Sequence, residues 1–176
     1  MHYRKITGQK IYLSPMDKTN ESPIMARWLS EDHGIAFNNG FYNRVFTDQA
    51  TDELLDHFAS GPSQFSIYTL DDDAFIGQIS LFNIDPYSIS CTMGIYIGEK
   101  YRGQGYGSEA MRLVIDHAFD YLRIHCIHLE VMDDNEKAIN VYEKLGFTIC
   151  GRYHQCRYTH GHYAGIVLME LINDKV

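Results

Sequence analysis

Three alternating glycines, Gly103, Gly105 and Gly107, stand directly behind Arg102 and at the start of an amphipathic helical pattern. Glycine is unfavourable inside a helix, so its concentration here predicts a turn from which a helix begins. The N–H groups of a first helical turn have no partner within the helix, and the helix dipole favours an anion beside them. The segment is therefore either a tight turn alone or a seat for a phosphate.

The spacing of these glycines excludes the two common phosphate-binding loops. No Gly-Lys-Ser/Thr follows, so the segment is not a P-loop, and Gly103-x-Gly105-x-Gly107 does not have the spacing of a dinucleotide fingerprint. Arg102 adds a permanent positive charge with several hydrogen-bond donors. Together the turn and the arginine supply what a diphosphate needs.

The apolar patterns predict a single α/β domain over residues 1–176, in the order β-α-α-β-β-β-α-β-α-β-β. The predicted strands read KIYLSPM, QFSIYTL, AFIGQISLFNI, SISCTMGIYIG, CIHLEVM, TICGRYHQCRY and HYAGIVLMELI. The predicted helices read NESPIMARWLSEDHGIAF, TDQATDELLDHFAS, SEAMRLVIDHAFDYL and DDNEKAINVYEKLGF.

The helix ends and buried faces follow from capping residues and helical spacing. The candidate N-caps are Asn20 or Ser22, Thr47, and Asp134 or Asn135. Gly146 is expected to end the fourth helix. The predicted core-facing residues are Ile24, Met25, Trp28 and Leu29 in the first helix, and Ala110, Leu113, Val114, Ala118 and Tyr121 in the third.

Composition narrows the class of protein. The net charge of −8 disfavours a nucleic-acid binder, which usually has a basic face. No apolar run approaches the roughly 20 residues of a membrane span. The N-terminal MHYRKITGQK lacks the apolar segment of a signal peptide, so we expect a cytoplasmic protein. The four cysteines, Cys91, Cys126, Cys150 and Cys156, have no CxxC spacing and are expected to be free thiols.

Nine histidines raise the question of a metal site. His125 and His128 are three residues apart in a predicted strand, which directs them to opposite faces. His160 and His162 flank a glycine in a predicted turn. We therefore expect no metal site.

Two motifs carry a family resemblance. Arg102-Gly103-Gln104-Gly105-Tyr106-Gly107 matches the pattern [QR]-x-x-G-x-[GA], and VMDDNEKAINVYEKLGF follows it in the chain. The residues of the second motif that form its pattern are Asn135, Ala138, Tyr142, Gly146 and Phe147. The chain thus resembles the GNAT superfamily of acyl-CoA-dependent N-acyltransferases, in particular the ribosomal-protein N-terminal and spermidine acetyltransferases. This implies a mostly antiparallel twisted sheet of about seven strands, flanked by about four helices, with two splayed parallel strands at its centre.

The resemblance also implies acetyl-CoA as co-substrate, no metal, and an amine as acceptor. The strand GIYIG would lie beside the pantetheine arm and pair with its amides through backbone groups, as an added strand does. The glycine turn would hold the diphosphate, which would place the thioester between this strand and HLEVM. The implied cofactor contacts are Ile95, Tyr96, Ile97, Arg102, Gly103, Gln104, Gly105, Tyr106, Gly107, Ser108 and Asn135.

Tyr142 is the candidate general acid that the resemblance implies. It shares a helical face with Ala138 and Leu145, so it should point inward. A phenol with a pKa of about 10 remains protonated at neutral pH and can donate to the departing thiolate. The alternative interpretation is a core tyrosine whose hydroxyl donates to a backbone carbonyl. Asn135 likewise has two possible roles, to cap the helix or to contact the cofactor arm.

Glu130 is the candidate general base, because related N-terminal acetyltransferases carry a glutamate at this strand position. The alternative is a carboxylate that faces solvent. Many relatives have another glutamate where this chain has Thr92, which cannot take up a proton at neutral pH. A water chain to Glu130, Asp133 or Asp134 is the other route.

The acceptor pocket is expected between the N-terminal helices and the C-terminal hairpin, where aromatic rings beside acids suit a cationic amine. The residues concerned are Trp28, Glu31, Asp32, Phe37, Phe41, Tyr42, Tyr153 and Tyr158. A polyamine, a protein N-terminus, an amino acid and a drug amine all remain open, and a homodimer is an analogy with relatives. Two other classes remain open: an acyl-CoA-binding or sensing module without turnover, and a structural or interaction domain.

Overall fold

The computed structural model describes residues 3–31, 47–59, 63–159 and 161–174. The strands are β1 (Ile6–Thr7), β2 (Ile11–Ser14), β3 (Ser63–Thr69), β4 (Phe75–Asp85), β5 (Ser90–Ile97), β6 (Cys126–Met132), β7 (Thr148–Thr159) and β8 (His162–Ile172). The helices are α1 (Lys18–Glu31), α2 (Asp48–Ala59), α3 (Tyr106–Asp120) and α4 (Glu136–Lys144). The order is the predicted one with the short β1 added. None of the helices within these ranges has the length and apolar character needed to cross a membrane.

The strands follow the sheet order β1-β2-β3-β4-β5-β6-β8-β7. The pairs β1–β2, β2–β3, β3–β4, β6–β8 and β7–β8 are antiparallel, and the pair β5–β6 is parallel. The predicted mixed, mostly antiparallel sheet is therefore confirmed. Within the described residues it has eight strands rather than about seven, because β1 adds a two-residue edge.

The parallel register is short. It joins Ser90–Thr92 to Cys126–His128, although β5 runs on to Ile97 and β6 to Met132. β6 meanwhile pairs with β8 along its whole length. This early end of the parallel ladder agrees with the splayed central strands that the resemblance implied.

The chain forms two compact units. The first comprises Met1–Phe82 and Gly94–Val114. Its buried aromatic and apolar cluster is formed by Tyr12, Met25, Leu29, Tyr68 and Phe75. Trp28 of α1 stacks on Phe75 with ring centroids 5.2 Å apart. The indole also lies against Gly98, where an added Cβ would be 2.6 Å from Trp28 Cζ2.

The second unit comprises Asn83–Met93 and Ile115–Val176. β6 shows the alternation of a strand with one buried face: Ile127, Leu129 and Val131 are buried, whereas the residues between them are exposed. Apolar side chains at every second position therefore build this core, as the sequence pattern predicted.

The predicted helix caps are confirmed in two cases and wrong in one. Thr47 Oγ1 accepts a hydrogen bond from Ala50 N–H at 3.1 Å, and Asn135 Oδ1 accepts one from Ala138 N–H at 3.2 Å. The prediction of Asn20 or Ser22 was wrong because α1 already begins at Lys18. Asp17 precedes that helix, and its side chain accepts from the backbone N–H of Asn20 at 3.4 Å and from the Asn20 side-chain amide at 2.6 Å.

The buried faces of α1 and α3 differ from the predicted ones at one residue each. Met25 and Leu29 of α1 are buried, one turn apart, whereas Ile24 is 37% exposed. In α3, Ala110, Val114 and Ala118 are fully buried, but Tyr121 is 78% exposed because α3 ends at Asp120. The predictions for Ile24 and Tyr121 were therefore wrong.

Candidate active site

The glycine turn has the backbone that only glycine adopts readily. A 3-10 turn over Glu99–Tyr101 leads into Arg102, and α3 begins at Tyr106. Gly103 has a φ of +75° and Gly105 a φ of +88°. Both lie in the left-handed region, where a side chain is strained.

The same glycines leave open space beside the backbone. Apart from chain neighbours, a Cβ built at Gly103 has no atom of the described residues within 4 Å, and one at Gly105 meets only Lys10 Nζ, at 3.7 Å. Packing inside the protein therefore does not explain the absence of side chains. The positive φ of both positions explains it, and the open space is compatible with close approach of a ligand to the main chain.

The turn presents backbone donors at the start of α3. The N–H of Glu109 donates to the carbonyl of Gly105 at 3.1 Å, which is the first bond of this helix. The N–H groups before it, at 106–108, have no carbonyl to reach within the helix. Free N–H groups of this kind are the donors with which a helix N-terminus binds a phosphate.

Arg102 connects this turn to the end of β5. Its Nε donates to the carbonyl oxygen of Ile97 at 2.8 Å. Ile97 was a predicted backbone contact for the pantetheine arm, and a carbonyl oxygen with two lone pairs retains room for a second donor. The side chains of Ile95 and Ile97 pack beneath Gly107, at 3.9 and 3.5 Å from a Cβ built there. Both distances are ordinary van der Waals contacts, so packing does not require a glycine at this third position.

Tyr96 directs its side chain into the core of the first unit. Its hydroxyl contacts Met25 Sδ, and its ring meets Trp28 edge-on with centroids 6.4 Å apart. Burial raises the pKa of this phenol well above its ordinary value. A role in cofactor binding would therefore fall to the backbone of Tyr96.

A second cation at the turn, Lys10, was not predicted from the sequence. Lys10 Nζ donates to the carbonyl oxygen of Gln104 at 3.2 Å. The backbone N–H of Lys10 donates to Glu109 Oε1 at 2.9 Å, which ties the β1–β2 connection to α3. No local sequence signal could reveal this contact, because the two bonded residues are 94 positions apart.

Tyr142 lies on α4 in the second unit. It is half-buried, and its ring meets Phe147 edge-on with centroids 6.0 Å apart. Burial raises the pKa of its phenol to about 12. In the described part of the chain, no group forms a hydrogen bond with the Tyr142 hydroxyl. The alternative interpretation, a hydroxyl that donates to a backbone carbonyl, therefore finds no acceptor there.

Asn135 heads the helix that carries Tyr142. Its side chain caps α4, and its own N–H donates to the carbonyl of Met132 at 3.0 Å. Gly146 follows the helix with a φ of +98°, as a helix-ending glycine should. The capping role of Asn135 is confirmed, and its contact to a cofactor stays a prediction.

Glu130 is an exposed residue of β6, opposite Leu168 of β8. Its carboxylate has no ion pair with any of the described residues. Thr92, where many relatives carry a glutamate, is the register partner of His128. That neighbour was not predicted because it depends on how two strands 30 or more residues apart are aligned.

Two of the residues predicted to line the acceptor pocket, Trp28 and Glu31, line a groove in the first unit. This groove of about 620 Å³ is lined by Trp28 and Glu31 of α1 together with Phe75 and Glu99. Its acids are matched by basic residues, and Glu31 Oε2 lies 2.8 Å from the Nε of Arg27. The groove alone therefore does not select a cation.

The other residues predicted for the acceptor lie elsewhere. Tyr153 and Tyr158 are exposed on β7, in the second unit. Asp32, Phe37, Phe41 and Tyr42 lie outside the described residues.

Comparison with known proteins decides the family. The model of the acetyltransferase (GNAT) domain matches residues 10–148. The chain is 39% identical over 149 residues to the probable N-acetyltransferase YjcK of Bacillus subtilis (strain 168), covering 81% of this chain and 82% of that protein. The chain belongs to the GNAT acetyltransferase family. It is also 25% identical over 158 residues to the spermidine N(1)-acetyltransferase of Escherichia coli (strain K12), which covers 90% of this chain and 77% of that protein.

A solved structure supports the fold. The spermidine N-acetyltransferase from Vibrio cholerae, in complex with CoA and spermine, superimposes with a TM-score of 0.83. The match has 20% sequence identity and covers 96% of this chain and 98% of that one. The GNAT protein described here is accordingly an N-acetyltransferase that uses acetyl-CoA as co-substrate.

Proposed function

We propose that this GNAT enzyme transfers the acetyl group of acetyl-CoA to a primary amine by direct attack in a ternary complex, with Tyr142 as the general acid. The observation that carries this role is the half-buried Tyr142 hydroxyl, which has no hydrogen-bond partner among the described residues. The absence of an internal partner leaves this hydroxyl available to donate to a bound substrate.

The reaction forms one bond and breaks another. The amine nitrogen attacks the thioester carbonyl, the C–N bond forms, and the C–S bond breaks with its electron pair on sulfur. The sulfur gains a proton and the new ammonium loses one. A pKa of about 12 keeps the Tyr142 phenol protonated throughout the working range of the enzyme. Its hydrogen bond first stabilises the charge that develops on sulfur, the phenol then gives sulfur its proton, and the phenolate is reprotonated from solvent.

Binding of the co-substrate is assigned to the glycine turn and its two cations. The N–H groups of residues 106–108 would receive the diphosphate oxygens, with Arg102 and Lys10 supplying positive charge. The backbone of Ile95–Ile97 would pair with the amides of the pantetheine arm. Asn135 would add a contact to that arm from its position at the head of α4.

The proton of the attacking amine is assigned to Glu130. This carboxylate is exposed, so it can exchange protons with water, and it would take the amine proton directly or through a water molecule. Asp133 and Asp134, at the C-terminal end of β6, are the alternatives for the same step.

The acceptor we propose is a small aliphatic polyamine. Relatives named for spermidine acetylation support this choice. The net charge of −8 also favours a cationic partner over an anionic one.

An amine panel tests the proposal. Thiol release from acetyl-CoA is measured with spermidine, a peptide with a free N-terminus, a free amino acid and an aminoglycoside. We expect the highest kcat/KM with spermidine. Preference for the peptide would remove the polyamine but keep acetyl transfer to an amine. If CoA binds in a calorimeter but no amine releases thiol, the protein is a binding module without turnover, and the proposal fails.

A further inference from the structure

A group of three metal-ligating side chains lies on the second unit. Cys126 and His128 are two residues apart on β6, so they point to the same side of the sheet. Glu170 of β8 is the register partner of His128, which places its side chain on that side too. Three different donor types, a thiol, an imidazole and a carboxylate, therefore meet on one face.

The distances suit a single ion. The ligand atoms of Cys126, His128 and Glu170 all lie within 4.8 Å of one another, and Cys126 Sγ is 3.9 Å from His128 Nδ1. Tetrahedral zinc, with bonds of about 2.0–2.3 Å, requires ligand atoms roughly 3.3–3.8 Å apart. Small side-chain rotations on a fixed pair of strands close that difference.

We propose that Cys126, His128 and Glu170 form a binding site for a divalent transition metal, zinc above all, with a fourth position open to water. Thiolate and imidazole select zinc over magnesium or calcium, and one carboxylate is compatible with it. Binding releases the proton of the Cys126 thiol to solvent, and Sγ then bonds to the metal as a thiolate.

The backbone around this triad is regular. The β6–β8 pairing runs without a shift from Cys126 opposite Ile172 to Met132 opposite Ile166. His128 and Glu170 are therefore held side by side by main-chain hydrogen bonds rather than by flexible loops. Cys126 and Glu170 are partly buried and His128 is exposed, so the ligands are partly shielded while an ion can still enter.

His125 and His128, the pair that the sequence suggested, are directed to opposite faces by their odd spacing. His125 precedes β6, and its carbonyl accepts a hydrogen bond from Asn173 N–H at 2.8 Å. The pair that the strand brings together is Cys126 with His128, and the third ligand comes from a strand about 40 residues later.

This proposal is independent of the proposed acetyl transfer, and its test does not use activity. The full chain is stripped with a chelator under a thiol reductant and titrated with Co²⁺, then with Zn²⁺ in competition. We expect one Co²⁺ per chain, tetrahedral d–d bands and a thiolate-to-cobalt charge-transfer band, all displaced by Zn²⁺. Zn²⁺ should also raise the melting temperature, since it binds the folded state.

Variants locate the site. Cys126→Ser should abolish the charge-transfer band and weaken cobalt binding at least about 100-fold, and His128→Ala or Glu170→Gln at least about tenfold. Cys156→Ser and His125→Ala are the matched controls, because both residues are exposed and lie outside the triad. Each should bind cobalt like the parent protein.

Three results would overturn the proposal. The first is a stripped protein that takes up no stoichiometric Co²⁺. The second is a Cys126→Ser protein that keeps the charge-transfer band. The third is an equal loss of cobalt affinity in the triad variants and the controls. Circular dichroism of each metal-free variant shows that it is folded. If Cys126→Ser is not folded, His128→Ala and Glu170→Gln must still weaken cobalt binding or shift the band, and unchanged affinity and spectra in both count against the site.

Discussion

Lys10 Nζ and the carbonyl oxygen of Gln104 are joined by a hydrogen bond of 3.2 Å. The backbone N–H of the same lysine donates to Glu109, so both ends of Lys10 are fixed beside the glycine turn. A lysine held by its backbone and its ammonium group loses less side-chain entropy when a ligand arrives. We infer that it contributes to binding of the diphosphate of acetyl-CoA.

Replacing this lysine should weaken cofactor binding. Lys10→Met removes the positive charge but keeps an unbranched apolar side chain, and the loss of one charged hydrogen bond should raise the Kd for CoA about tenfold. Isothermal titration calorimetry measures the change. Lys5→Met is the control, because Lys5 is exposed on the same N-terminal segment. Equal Kd values for the two variants would exclude a role of Lys10 in binding.

A side chain at Gly105 should prevent CoA binding. Gly105→Val introduces branched carbons where the main chain must approach the diphosphate, at a φ of +88° that valine tolerates poorly. The fold should survive, because a Cβ there meets only Lys10 Nζ, at 3.7 Å. Calorimetry with CoA is the readout, and we expect no measurable heat.

Gly161 provides a control with the same backbone strain. It has a φ of +84°, and a Cβ there has no atom of the described residues within 4 Å. Gly161→Val should therefore lower the melting temperature about as much as Gly105→Val while leaving CoA affinity unchanged. If both variants bind CoA normally, the glycines serve only the turn.

Tyr142→Phe should lower kcat with little change in the KM for acetyl-CoA. Loss of a general acid is expected to reduce the rate by roughly 10²–10⁴. Steady-state kinetics with the best amine of the panel gives both parameters. Tyr121→Phe, which removes a hydroxyl from a residue that is 78% exposed, should retain the parental kcat. Unchanged turnover in Tyr142→Phe would remove this residue from the mechanism.

The raised pKa of Tyr142 also predicts a pH dependence of stability. Between the ordinary value of 10.0 and the folded value of about 12, the folded protein keeps a proton that the unfolded chain releases. The folded state then binds more protons, so the free energy of unfolding falls as the pH rises through this window. Urea titrations from pH 9 to 12 should show a smaller fall for Tyr142→Phe than for the parent. Equal falls would mean that the phenol is not buried.

Glu21 should be important for stability. This fully buried carboxylate accepts hydrogen bonds from Ser66 Oγ at 2.6 Å, Tyr68 Oη at 2.7 Å and Gln78 Nε2 at 3.2 Å. Glu21→Leu would leave these donors unpaired in the core, which costs about 1–3 kcal/mol for each group. We expect the free energy of unfolding to fall by about 3 kcal/mol or more.

The matched control is Glu31→Leu on the same helix. Glu31 is exposed and pairs with Arg27 one turn earlier, an arrangement worth only about 0.3–0.5 kcal/mol. Urea unfolding measures both variants. A loss for Glu21→Leu no larger than for Glu31→Leu would mean that the buried network does not stabilise α1 against the sheet.

Features that depend on neighbouring residues in the chain could be predicted from the sequence. The alternation of Ile127, Leu129 and Val131 predicted β6, and the glycine row predicted the turn before α3, because each pattern is local. Asn135 and Gly146 marked the ends of α4 for the same reason. The family motifs then indicated a mostly antiparallel sheet with two parallel strands at its centre.

Features that depend on contacts between distant segments of the chain could not be predicted. Nothing near Lys10 indicates Gln104, and nothing near His128 indicates Glu170. Glu21 reads as an ordinary acidic residue of a first helical turn, and only its position opposite Ser66 explains its burial. A shift of one residue in β6 or β8 would turn His128 or Glu170 to the other face, so pattern alone cannot place that pair.

The contact between the Trp28 indole and Gly98 has an evolutionary consequence. Any added carbon at position 98 would lie within 3 Å of the ring, so a larger residue there is tolerated only if position 28 becomes smaller. Homologous sequences should therefore show these two positions changing together, glycine accompanying tryptophan and alanine or serine accompanying a shorter side chain. The substitutions found in the family should therefore reflect how closely α1 approaches the beginning of the 3-10 turn.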